Sequence, residues 1–62
     1  MQGKVKFFLK DKGYGFISAE DNKDYFFHFT DTLDKVGQDE EVVFDLESGK
    51  KGTKAINVKR KK

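Results

Sequence analysis

Lys12-Gly-Tyr-Gly-Phe-Ile17, a polar turn over residues 18–23, and then Asp24-Tyr-Phe-Phe-His-Phe29 form the stretch on which the reading of this chain rests. Strand side chains change face at every residue. The first half therefore sets Lys12, Tyr14, Phe16 and Ser18 on one face, and Gly13, Gly15, Ile17 and Ala19 on the other. The second half sets Tyr25, Phe27 and Phe29 against Asp24, Phe26 and His28. A small sheet buries one face only, yet both faces of the second strand are aromatic, so some rings must stay in water. A cluster of large exposed rings marks a binding surface.

The flanking residues decide which face is outside. Lysine and serine belong in water, while glycine, isoleucine and alanine suit a tight interior. Tyr14, Phe16, Phe26 and His28 are thus expected together on the solvent side, and Ile17, Tyr25 and Phe27 inside. The Tyr25 hydroxyl must reach the rim for a partner. Phe29 ends its strand and is expected to lie exposed over the rim.

Upstream, Lys4-Val-Lys-Phe-Phe-Leu-Lys10 reads as a strand with Val5 inward and Lys4, Lys6 and Lys10 outward. Phe7 and Phe8 are adjacent, so strict alternation buries one of them. A bulge would let both edge towards the exposed rings, with Phe7 the preferred member. Strands are predicted over 4–10, 14–20, 24–29, 41–47 and 54–59. Val42, Phe44, Leu46, Ile56 and Val58 point inward, with Ala55 as the alternative inward residue of the last strand. Between them, residues 30–37 are expected to hold one helical turn over Leu33 and Val36, capped by Thr30-Asp31-Thr32 and ended by Gly37. Leu33 is expected to plug one end of the core. A Gly/Lys loop follows over 48–53, and residues 60–62 form a mobile basic tail.

Five short strands, no long helical segment and no proline predict an all-β fold. The natural architecture at this length is a small five-stranded antiparallel OB-type barrel, with an SH3-like barrel as competitor. Sixty-two residues make one domain, burying only about 60% of the surface its unfolded chain exposes, so stability is marginal.

Composition narrows the chemistry. The chain has no cysteine and a single histidine, which leaves no disulfide and no usual zinc site. No nucleophile or paired carboxylate stands beside His28, and Gly-Tyr-Gly-Phe lacks a phosphate-loop pattern. No catalysis, metal or cofactor is expected. No apolar run approaches the ~20 residues of a membrane span and no secretory signal precedes the first strand, so the expectation is a soluble intracellular protein.

The net charge of +2 is less telling than its distribution. Ten of the eleven acidic residues lie between Glu20 and Glu47, while Lys4, Lys6, Lys10 and Lys12 precede them and seven basic residues follow from Lys50 onward. Charge runs are often just solvated faces. Here Lys6 and Lys12 adjoin the exposed rings, which favours a polyanion-binding side, with the acidic side limiting indiscriminate binding.

These segments resemble the bacterial cold-shock proteins over nearly the whole chain: Gly-Lys-Val-Lys-Phe-Phe8, Lys12-Gly-Tyr-Gly-Phe-Ile17, Tyr25-Phe-Phe-His-Phe29, Gly37-Gln38 ahead of Val42 and Phe44, and the late Asn57-Val58. The second and third are similar to that family's two RNP motifs. The resemblance implies an OB-fold barrel that binds single-stranded RNA and DNA with weak sequence preference and keeps RNA unstructured. It implies a binding platform of Lys6, Phe7, Phe8, Lys12, Tyr14, Phe16, Phe26, His28 and Phe29, with Lys51 as a late basic contact. Against the family pattern, Phe7 replaces a tryptophan, Leu9 an asparagine, and Tyr25 and Phe27 valines. The segment after Phe29 is about four residues short, and Gly52-Thr53 replaces Gly-Pro.

Lysines among the rings favour nucleic acid over the competing reading, a protein-interaction module using the same face. An RRM fragment fits the first motif but lacks the length and the helices. The shortened loop at 30–37 leaves room for strand-exchanged dimers beside a mainly monomeric protein.

Overall fold

The computed structural model describes residues 1–50 and 52–61. The strands are β1 (Gln2–Leu9), β2 (Tyr14–Ala19), β3 (Asp24–His28), β4 (Glu41–Gly49) and β5 (Gly52–Arg60), with a 3-10 turn at Phe29–Asp31 after β3. They pair in the order β1-β2-β3-β5-β4, and β4 returns to β1, so the sheet closes on itself. All neighbours run antiparallel except β3 and β5, which run parallel where Phe26 meets Lys54. The expectation of an all-antiparallel sheet is corrected at that seam. Parallel neighbours need a crossover; residues 29–40 and then β4 provide it.

Val5, Ile17, Phe27, Val42, Ala55 and Val58 are fully buried, with Ala19, Val36 and Phe44 nearly so. Tyr25 packs on this core, its ring 6.2 Å from that of Phe44, while its hydroxyl donates to Asp21 Oδ2 at 2.7 Å. Gly15 is closed in on both sides, because a Cβ there would strike the Phe7 carbonyl oxygen and the Phe27 ring.

Two bulges reset which residues face inward. On β1, Val5 pairs with Ile17 but Phe7 pairs with Phe16, so one extra β1 residue, Lys6, is inserted. Phe7 thereby faces outward and Phe8 inward, its ring stacked 5.6 Å from Phe27. On β5, Val43 pairs with Lys59 but Asp45 with Ile56, which leaves an extra β5 residue. Asn57 adopts φ 52° there, a left-handed conformation that asparagine tolerates better than most residues. Ala55 and Val58, three residues apart, therefore both point inward, and Ile56 is only half-buried. Of the two readings of the last strand, the structure takes Ala55.

Five further expectations are corrected. The helical turn is earlier and shorter than predicted, over Phe29–Asp31. Leu33 is 65% exposed, since its N–H donates to Val58 O at 2.7 Å and ties the segment alongside β5. Val36 plugs the core instead. The β4–β5 hairpin also runs on to the Gly49–Gly52 pair, so the 48–53 loop is mostly strand. From Asp45 onward β4 is exposed, including Leu46, which was expected inward. Arg60 closes β5 rather than opening a tail. Its N–H donates to Asp34 Oδ2 at 3.2 Å. Among the described residues no helix is long and apolar enough to cross a membrane.

Candidate nucleic-acid interface

The pairing register sets the site. Phe7 faces Phe16, Phe16 faces Phe26, and Phe26 faces Lys54, which makes one continuous row across β1, β2, β3 and β5. A second row, Leu9–Tyr14–His28, runs beside it. Adjacent strands lie about 4.8 Å apart, so directly opposed rings must touch. Ring centroids are 5.3 Å apart for Phe7–Phe16, 5.8 Å for Phe16–Phe26 and 5.5 Å for Tyr14–Phe26. Each ring is half-buried by its neighbours and open on its outer side. The inner side of these strands is already filled by Ile17 and Phe27.

The second row ends in a built corner. His28 Nδ1 accepts from the Thr30 N–H at 3.3 Å and lies 2.9 Å from Thr30 Oγ1. A ring nitrogen that accepts carries no hydrogen, so the network assigns the neutral ring's hydrogen to Nε2, a free donor for a ligand. Phe29 is 54% exposed yet held in place. Its N–H donates to Gly13 O at 2.8 Å, and its carbonyl accepts from Thr32 Oγ1 at 2.6 Å. Its ring lies over Gly13, which turns at φ 75°, and sits 4.8 Å from the His28 ring.

The cations are less free than the sequence implied. Lys6, the bulge residue, pairs with Asp24 at 2.9 Å. Lys54, at the end of the first row, pairs with Asp31 at 3.5 Å. Lys12 is exposed on the turn between β1 and β2. Lys50 and Lys54 line a groove that starts at Phe26. Lys51 lies outside the described residues.

The structure thus brings Phe7, Tyr14, Phe16, Phe26, His28 and Phe29 onto one face, with Lys6 at its edge. Phe8 is the correction. The Lys6 bulge turns it inward, where it packs on the core and opens to the cleft beneath residues 32–37 and to a second one beside residues 9–12. Sequence reasoning opened the last strand at Lys54 without setting it beside the rings, and did not pair Asp24 or Asp31 with a lysine. The parallel β3–β5 register that aligns Lys54 with Phe26 leaves no local signal in either strand.

A closed five-stranded sheet with one ring-lined outer face is a small β-barrel that presents an aromatic surface to solvent. The profile of the family described as the 'Cold-shock' DNA-binding domain matches residues 1–61, and the chain belongs to this cold-shock domain family. It is 47% identical over 60 residues to "Cold shock protein 1" of Lactiplantibacillus plantarum, covering 90% of this chain and 91% of that protein. It is 42% identical over 62 residues to "Cold shock-like protein CspC" of Bacillus cereus, covering 94% and 95%. It is 41% identical over 61 residues to "Major cold shock protein" of Streptococcus pyogenes serotype M1, covering 92% and 91%. The family is a non-catalytic, nucleic-acid-binding one, and the chain is not an enzyme.

Proposed function

We propose that residues 1–62 act as one OB-fold domain that binds single-stranded RNA and DNA with weak sequence preference. In this reading it is a cytoplasmic RNA chaperone that keeps transcripts unstructured and so affects transcription and translation under stress. The observation that carries the proposal is the outward row Phe7–Phe16–Phe26, with Tyr14, His28 and Phe29 beside it. Every base has a π-face, so such rings stack bases with little regard to sequence, each contact contributing about 1–3 kcal/mol. Three stacked bases offset several duplex steps of about 1.4 kcal/mol each, before ordering is counted. The protein holds strands that breathe open; with no nucleotide-hydrolysing motif, no driven unwinding is implied.

Lys6, Lys12, Lys50, Lys51 and Lys54 follow the phosphates and make affinity salt-dependent. A duplex hides its base faces, so single strands are preferred. The protein works mainly as a monomer, because the segment after Phe29 is anchored to β5 through Leu33 and Asp34, which disfavours strand exchange.

The test is a titration with a seven-nucleotide pyrimidine-rich strand and its duplex at two salt concentrations, alongside Phe16→Ala. Salt-sensitive single-strand binding that collapses in the variant supports the platform. Equal binding to duplex, or an unaffected variant, sinks it and points to a protein partner for the rings.

A further inference from the structure

Resting on that reading, the ion pairs at the two ends of the aromatic row bear on what the site selects. The aromatic row is bounded by two cations, Lys6 next to Phe7 on β1 and Lys54 opposite Phe26 on β5. Each is met by a carboxylate: Asp24 Oδ2 lies 2.9 Å from Lys6 Nζ, and Asp31 Oδ2 lies 3.5 Å from Lys54 Nζ. The second contact is an ion pair without a hydrogen bond, and Asp31 Oδ2 is buried with no hydrogen-bond partner among the described residues. Glu47 adds a third negative charge, paired across β4–β5 with Lys54. A face built simply to attract phosphate would leave its flanking lysines unopposed.

We propose that Asp24 and Asp31 are specificity determinants, which make the site select unpaired bases over bare polyanions. The Lys6–Asp24 pair is well exposed, so a phosphate displaces that carboxylate at little cost, whereas Asp31 is largely buried and its Oδ2 has no other partner, so drawing Lys54 away from it costs more. Until then the row ends carry little net charge. A duplex or a polyphosphate chain offers no base face to the rings, so it must displace the carboxylates with nothing else in return. A single strand stacks on Phe7, Phe16 and Phe26 and offsets the displacement. Discrimination therefore comes from a repulsive element placed beside the attractive one. Lys54 sets the reach of this device, since it extends the row across the β3–β5 seam to the groove beside Lys50.

The experiment measures dissociation constants of the intact protein for a seven-nucleotide pyrimidine strand, the matched duplex and inorganic polyphosphate at two salt concentrations. Wild type is compared with Asp24→Asn, Asp31→Asn and the double variant, which keep side-chain shape and remove charge. Asp45→Asn is the net-charge control for each single substitution; it lies on β4, whose one ring, Phe44, is buried in the core, and its partner Asn57 Nδ2 still finds an acceptor. In the double variant, duplex and polyphosphate are expected to bind roughly tenfold tighter at low salt, and the single strand no more than about threefold tighter. The salt dependence for polyphosphate steepens, and Asp45→Asn changes little.

An equal gain for all three ligands, or the same gain in Asp45→Asn, reduces the effect to net charge and overturns the inference. Weaker single-strand binding in Asp31→Asn overturns it as well, because Asp31 would then position Lys54 rather than oppose it. Failure of the platform reading looks different: wild type would not bind the single strand, or Phe16→Ala would bind as wild type does.

Discussion

Phe7 stands across the β1–β2 pair from Phe16, ring centroids 5.3 Å apart, because Lys6 is one residue too many for β1. Regular alternation from the buried Val5 would have turned Phe7 inward and Phe8 outward. The extra residue exchanges them. One insertion therefore decides which of two identical neighbouring side chains joins the outer aromatic face and which joins the core.

The exchange predicts opposite phenotypes for adjacent alanines. Phe8→Ala removes a ring stacked on Phe27 and should cost roughly 2 kcal/mol of stability, below the range for a fully buried phenylalanine because the ring is half-buried. Phe7→Ala should cost about 1 kcal/mol or less, yet weaken single-strand binding roughly tenfold, as expected for one lost stacking contact. Thermal melts and titrations of both variants check this. Greater destabilisation from Phe7→Ala would contradict the bulge register.

Phe16 and Ile17 make the same comparison on a regular strand. Ile17 is fully buried, so Ile17→Ala should cost about 2–5 kcal/mol. A domain this small holds only about 3–5 kcal/mol, so much of the population unfolds. Phe16→Ala should stay folded and lose more than tenfold in single-strand affinity, roughly 1.4 kcal/mol or more. Denaturant unfolding at fixed temperature separates the two, and a Phe16→Ala protein less stable than Ile17→Ala would invert the face assignment.

The regular parts of the fold were legible because alternation and flanking polarity agree. Lys12 and Ser18 on one row and Gly15 and Ala19 on the other assign the faces of β2 without tertiary knowledge. The exchanges came where one residue is inserted. Lys6 and the extra residue near Asn57 leave composition unchanged while moving Phe8 inward and Ile56 partly outward. Leu33 looked like a core residue by type, but a backbone hydrogen bond to Val58 fixes its segment alongside β5. Lys54 entered the aromatic row through a parallel pairing between strands 28 residues apart in register, which no local pattern encodes. The carboxylates on Lys6 and Lys54 depend on the same long-range placement.

Gly13 serves Phe29 as much as the turn it occupies. Its φ of 75° disfavours any side chain, and a Cβ there would sit 2.7 Å from Phe29 Cδ1. Gly13→Ala should therefore combine backbone strain of about 1 kcal/mol or more with displacement of the Phe29 ring. The expected result is a lower melting temperature together with weaker single-strand binding. Phe29→Ala tests the link: it should weaken binding with little loss of stability, and adding Gly13→Ala to it should weaken binding no further. Additive losses of affinity in the double variant would mean that Gly13 does not act through Phe29.

The Tyr25–Asp21 hydrogen bond gives stability a defined dependence on pH. The Asp21 carboxyl is held below its usual 3.8, chiefly by the Tyr25 hydroxyl that donates to it. The Tyr25 hydroxyl is raised above its usual 10.0, chiefly by the same bond. For Asp21, whose folded value is depressed, the contribution is present above 3.8 and is lost as pH falls through the lower folded value. For Tyr25, whose folded value is raised, it is present below 10.0 and is lost as pH rises through the higher one. Tyr25→Phe should thus lower the melting temperature by a constant amount between these limits, and the gap to wild type should close on both sides. Ultraviolet titration of Tyr14→Phe, in which Tyr25 is the one remaining tyrosine of two, reads the phenol directly. Ionisation at or below 10.0 in the folded protein, or a melting gap that stays constant into strong alkali, would show that the bond does not form in solution.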